Sequence, residues 1–204
     1  MVVTVSVGKK PWIVLDAIAY LEANVVPEWE TFEWGCGGST LWFAGLTKQV
    51  SSVETNPEWA DAVMAAAVER GIWPLPIIHT VPVMWMDAQG VRYPATRVGW
   101  NEGDVPVPEW EDEYSGVIDR FYQDQKFGLI VIDGGVRHKC AERALKHMLP
   151  GGLMVLDNSG NADTLPATAV LVAALGYGQR FVGPVYAESP EGECVVETGI
   201  WRMT

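Results

Sequence analysis

Residues 31–40 read TFEWGCGGST, an apolar run that ends in a glycine-rich turn and passes into helix-forming residues. Gly35, Gly37 and Gly38 carry no Cβ and reach positive φ without strain, so the turn lets a ligand approach the backbone closely. A second strand-like run, residues 49–54, closes on Glu54, nineteen residues after Gly35. In a strand–helix–strand unit that is where an acidic side chain accepts hydrogen bonds from a ribose diol. Glu33, inside the motif, is expected to repel a pyrophosphate at the helix start, where a dinucleotide site wants bare donors and positive potential. A cofactor with an ammonium or sulfonium group suits the stretch better.

Working outward, strand and helix patterns alternate. Residues 12–24 carry apolar side chains at helical spacing and stop before Pro27. Residues 39–46 read as a helix between the first two strands. Asn56 and Pro57 make an N-cap followed by proline at the first helical position, opening a helix that runs to Gly71. Residues 76–83 read as a third strand, at an edge or ended by Pro82. Residues 127–133, FGLIVID, and 153–157, LMVLD, are the β-branched runs of central parallel strands. Helices are expected at 115–125, 136–149 and 164–175. The last two strands, 179–187 and 194–203, are joined by SPEGE, too short for a helical crossover, so they pair antiparallel.

This order predicts an α/β fold: a doubly wound, mostly parallel seven-stranded sheet with right-handed crossovers and an antiparallel C-terminal hairpin. With 204 residues the chain suits a single domain spanning 1–204. Residues 84–114 show no period and combine Trp85, Tyr93, Trp100 and Trp110 with an acidic cluster at 109–113. A loop of that length is expected to be functional, and its aromatics suggest a lid.

The net charge of -12, from 14 Lys plus Arg against 26 Asp plus Glu, disfavours nucleic acid, whose binding depends on neutralising phosphates. Cys36, Cys140 and Cys194 form neither a CxxC pair nor a zinc spacing, and the odd count is unlike a disulfide framework, pointing to a reducing, cytoplasmic setting. No cleavage pattern or membrane-length apolar run is present, so neither targeting nor a membrane partner is expected.

In order and in motif the chain resembles the class I S-adenosylmethionine-dependent methyltransferases. FEWGCGGST resembles that family's first motif, SSVETN its acidic second-strand end, FGLIVIDGG its fourth-strand motif and LPGGLMVLDNS its fifth strand with the preceding glycine turn. The resemblance implies S-adenosyl-L-methionine as cofactor, with Glu33, Gly35 and Gly37 against its methionine part and Glu54 on its ribose hydroxyls. Ser39 and Thr40 would bind a carboxylate, and Asp133 would face cofactor and acceptor. HTVPVMW, after the third strand, lacks a clear polar partner for adenine.

Methyl transfer from a sulfonium leaves the protein mainly positioning and deprotonation of the acceptor. Asp133, His138, Asp157 and Asn158 are the catalytic candidates, with His138 read first as an exposed residue of a helix's opening turn. Asp133, Asp157 and Asn158 also resemble the metal set of catechol-type O-methyltransferases, which implies a possible Mg ion lowering an acceptor hydroxyl pKa. Asp157 and Asn158 would equally serve to cap a turn. Arg137 would meet an acceptor carboxylate, the acidic cluster or solvent. Lys139, Glu142, Arg143 and Lys146 read as solvated charge pairs, and His79 and His147 show no ligand spacing.

The resulting expectation is O-methylation of a small molecule, ahead of a protein side chain. A nicotinamide-dependent oxidoreductase shares the glycine turn and Glu54 but is opposed by Glu33 and by SPEGE. A non-catalytic cofactor-binding or scaffold subunit would make residues 84–114 a partner surface.

Overall fold

The computed structural model describes residues 7, 8, 10–94, 105–185 and 195–204. Seven strands form one sheet. They are β1 (Glu30–Trp34), β2 (Gln49–Glu54), β3 (Ile77–Thr80), β7 (Phe127–Ile132), β8 (Met148–Asp157), β9 (Gln179–Pro184) and β10 (Val195–Arg202), numbered past three short strands that form a second, smaller sheet. The order is β3-β2-β1-β7-β8-β10-β9. The first five run parallel, and β10 lies antiparallel to both β8 and β9, as the sequence predicts.

Period-two alternation sorts the central strands onto two layers. Phe32, Trp34, Ile130, Ile132, Met154 and Leu156 face one side, under α4 (Pro108–Ser115), α5 (Val117–Phe121), α6 (Arg137–Ala144) and α7 (Leu165–Leu175). Leu129, Val131, Leu153 and Val155 face the other, under α1 (Leu15–Asn24) and Phe43 of α2 (Gly38–Ala44). Beside α2, α3 (Pro57–Glu69) packs Ala60, Val63 and Ala67 against Leu41. Each fully buried aliphatic side chain stabilises the fold by ~1.5–3 kcal/mol, so these two-sided strands form its stable centre. Asn56 caps α3 as expected, its Oδ1 accepting from the Glu58 and Trp59 amides at 3.0 and 3.2 Å.

From β1 the chain winds outward through β2 and β3, then returns to β7 on the other side of β1. That reversal opens a crevice between the carboxyl ends of β1 and β7, the place where open α/β sheets receive ligands.

Residues 84–94 and 105–114 are more ordered than their sequence suggests. β4 (Met84–Met86) pairs antiparallel with β5 (Arg92–Pro94) and β6 (Val105–Pro106), and α4 starts at Pro108. Residues 95–104, with Arg97 and Trp100, lie outside the described residues, as do Cys194 and the SPEGE turn. The helix expected at 136–149 is α6 followed by one 3-10 turn, and β8 already begins at Met148. Pro150 sits inside that strand's bent first half, where it ends no helix. Among the described residues no helix is long and apolar enough to cross a membrane.

Candidate functional site

A cleft of about 310 Å³ lies at the reversal point, lined by the β1 turn from Gly35 to Ser39, Glu54 and Thr55 after β2, and Asp133 to Gly135 after β7. Trp12, Trp59 and Tyr114 add aromatic surface, and Gly8 and Lys10 close one side. Gly35 has φ of 92°, and its amide donates to Val53 O at 2.8 Å, bending the chain sharply off β1. Arg70 holds Val7 and Gly8 by donating to their carbonyls at 2.6 and 3.0 Å.

Glu54 stands where the sequence placed it. One oxygen accepts from the Cys36 amide at 3.1 Å, and the other from the Thr55 and Asn56 amides at 2.7 and 2.9 Å. These donors fix the carboxylate at the cleft wall.

Glu33 differs from expectation. It is fully buried and does not line the cleft. Its carboxyl accepts from Ser39 Oγ, from Thr40 Oγ1 at 2.6 Å and from Ser52 Oγ at 2.9 Å. Alternation along β1 explains this: Phe32 and Trp34 point to one face, so Glu33 points to the other, beneath α2. Ser39 and Thr40 therefore bind a carboxylate, but it is the protein's own. Thr40 Oγ1 also accepts from the Gly37 amide at 2.9 Å, tying the turn to the buried acid. Burial, opposed by the three hydroxyls, pushes the Glu33 pKa up to about 7. Its charge thus does not set the sign of the cleft.

Asp133 reaches the cleft at the end of β7, with Asp157 beside it at the end of β8. Desolvation and the charge of Asp157 drive the Asp133 carboxyl well above the usual range, with Arg137 opposing. Desolvation also raises Asp157. Asp157 is buried and accepts from Thr198 Oγ1 at 3.1 Å and from Asn158 Nδ2 at 2.7 Å. Neither Asp157 nor Asn158 lines the cleft, so of the catalytic candidates only Asp133 does. His138 is exposed on the first turn of α6, outside the cleft.

Asp133, Asp157 and Asn158, expected as a metal set, stand side by side but are engaged with one another and with protein donors. Asp157 spends its oxygens on Thr198 and Asn158, while the Arg137 guanidinium covers the neighbouring strand ends. Among the described residues no three His, Cys, Asp or Glu side chains converge on a common point. A cation held beside a guanidinium would meet direct charge repulsion, so these residues do not fit Mg.

Two contributors escaped the sequence reading. Tyr114 is buried at the cleft wall, its ring stacked on Trp110 at 5.4 Å, with its hydroxyl taking the Gly135 amide. Burial raises its pKa well above the usual phenol value. The i,i+4 spacing of Trp110 and Tyr114 in an otherwise acidic helix was the available signal. Trp59, on the first turn of α3, donates from its indole to Cys36 O at 2.6 Å and presents its ring to the cleft. The basic residues of α6 are not simply solvated: Lys139 pairs with Glu111 and Asp112, and Arg143 with Asp112 and Asp119, pinning α4 and α5 to α6. His147 is a core residue between Gln125 O and Asp119, and His79 hydrogen-bonds Tyr122.

No protein-family model and no curated protein matches the chain. Solved structures do. A methyltransferase-like protein from Silicibacter pomeroyi superposes with a TM-score of 0.59 at 18% identity, over 97% of this chain and 91% of that one. An O-methyltransferase from Bacillus cereus in complex with SAH gives 0.57 at 16%, over 91% and 78%. An rRNA methylase from Streptococcus thermophilus gives 0.54 at 12%, over 93% and 95%. At such identities the likeness speaks for architecture, and the architecture is that of the class I S-adenosylmethionine-dependent methyltransferases.

Proposed function

We propose that the protein binds S-adenosyl-L-methionine in the cleft between β1 and β7 and transfers its methyl group to a hydroxyl of a small molecule. The observation that carries this reading is the cleft itself. A glycine turn, a fixed carboxylate and aromatic faces meet at the reversal point of a methyltransferase-type sheet, and Glu54 in the wall suits a ligand with hydroxyls and a cationic centre.

The cofactor, when bound, supplies a methyl group already activated on a sulfonium. Glu54 accepts from the ribose hydroxyls, and Trp59 and Trp12 offer flat apolar surface for the base, a role no residue of HTVPVMW takes in the lining. Asp133 stands at the carboxyl end of β7 to orient an acceptor hydroxyl and receive its proton. Residues 108–115 act as a wall that reaches the cleft through Tyr114, and the ion pairs from α4 to α6 hold it there. The acidic balance of the chain supports a small acceptor over nucleic acid, and a cytoplasmic setting suits buried, unpaired Cys36 and Cys140.

Calorimetric titration with S-adenosylmethionine, S-adenosylhomocysteine and NADH tests the cofactor. The expected result is micromolar binding of the sulfonium pair, weakened about tenfold or more in Glu54→Ala, in line with losing charge-assisted hydrogen bonds. Binding of NADH alone, or of none of the three, would sink the reading.

A further inference from the structure

The oxygen atoms at the carboxyl ends of β7 and β8 are gathered by one side chain. Arg137 Nε donates to Gly134 O at 3.0 Å, and Nη2 donates to Asp133 O at 2.8 Å and to Asp133 Oδ1 at 3.1 Å. Nη1 donates to the carbonyl of Asp157. Three backbone carbonyls and a carboxylate are the donors a hard divalent cation takes. Here a planar guanidinium takes them with directed N–H groups.

The backbone is bent to make this possible. Val136 adopts the left-handed conformation, φ 42° and ψ 44°, which is strongly disfavoured for a β-branched residue. It links Gly135 to the first residue of α6, so Arg137 folds back over the strand it has just left. Adjacent parallel strands bring the carboxyl groups of Asp133 and Asp157 together with the strand-end carbonyls, an oxygen cluster that a positive group can gather. Arg137 provides that group from within 3.1 Å of Asp133 Oδ1.

We propose that Arg137 is a built-in substitute for a divalent cation, a positioning residue that clasps the ends of the two central strands and closes their oxygen cluster to metal ions. This does not rest on the methyl-transfer reading, since cation binding is measured with neither cofactor nor acceptor. It does carry a consequence for that reading, because an acceptor hydroxyl in this cleft is oriented by side chains rather than by a bound ion.

The test is Mn²⁺ binding followed by electron paramagnetic resonance in wild type, Asp133→Asn, Arg137→Ala and the double variant Arg137→Ala/Asp133→Asn. Removing the guanidinium exposes the oxygen cluster, so Arg137→Ala is expected to gain one Mn²⁺ site at least about tenfold tighter than any in wild type. The double variant is expected to lose it. A wild-type site of equal strength that Asp133→Asn abolishes would overturn the proposal, as would a folded Arg137→Ala that gains nothing. If Arg137→Ala does not fold in chelator, refolding with Mn²⁺ against sodium chloride decides. Recovery of native circular dichroism with Mn²⁺ alone supports the substitution, and failure in both overturns it.

Discussion

Two turns leave neighbouring strands at the same edge of the sheet and solve opposite problems. The turn after β1 is held open. Gly35 takes a positive φ, Cys36 gives its amide to Glu54, and Glu33 anchors the turn from beneath through Ser39 and Thr40. The turn after β7 is drawn shut, with Val136 in the left-handed region and Arg137 covering the strand-end oxygens. The β1 turn thus leaves backbone and carboxylate facing the cleft, whereas the β7 turn leaves mainly Asp133 and two glycines. One sheet edge can receive a ligand on one side and rigidify itself on the other only because the two turns touch without side chains between them.

That contact is where the comparison breaks most easily. A Cβ on Gly134 would lie 1.9 Å from Tyr114 Oη and 3.1 Å from the amide nitrogen of Gly35. The tyrosine cannot swing away, because it is buried and stacked on Trp110. Gly134→Ala is therefore expected to destabilise the protein by about 3 kcal/mol through overpacking and to weaken ligand binding with it. Urea denaturation checks the first effect. A loss under about 1 kcal/mol would mean that the turns have room to separate.

The open and closed halves were not equally legible in sequence. FGLIVI and LMVL announce buried strands because both faces are apolar, and the final antiparallel pair follows from a linker too short to cross over. The glycine turn and Glu54 were legible because each is a local feature of a fixed spacing. The direction of Glu33 was available from alternation with Phe32 and Trp34, but the motif's resemblance pointed it at the cofactor. Residues 84–114 were opaque because β4, β5 and β6 pair over only two or three residues, too few for a period to show. Arg137 was opaque for another reason. Its direction depends on a left-handed valine, and propensity gives no warning of a residue in a disfavoured conformation.

Glu33 offers the next test, because it couples the open turn to pH. Its pKa is raised from 4.5 to about 7 by burial, so the folded protein holds this proton more tightly than the unfolded chain does. The resulting stabilisation is complete below about pH 4.5 and is lost as pH rises through about 7, amounting to about 3 kcal/mol across the window. Glu33→Gln keeps the shape and removes the titration. Wild-type unfolding free energy should fall more steeply than the variant's between about pH 5 and pH 8. Parallel curves would show that Glu33 stays charged in the fold and that its three hydroxyl donors outweigh desolvation.

Val136 gives the smallest and finest distinction. Glycine removes the left-handed penalty, ~1–2 kcal/mol, but frees the unfolded chain by ~0.5–1 kcal/mol and gives up the packing of a partly buried side chain against the core. These contributions nearly cancel, so Val136→Gly should change stability by less than about 1 kcal/mol. Val50→Gly, in the regular backbone of β2 and almost fully buried, has no strain to relieve and should cost clearly more. Paired urea titrations of the two variants compare them directly. Equal losses would mean that the valine at 136 is kept for packing, and that the closed turn owes its shape to Arg137 alone.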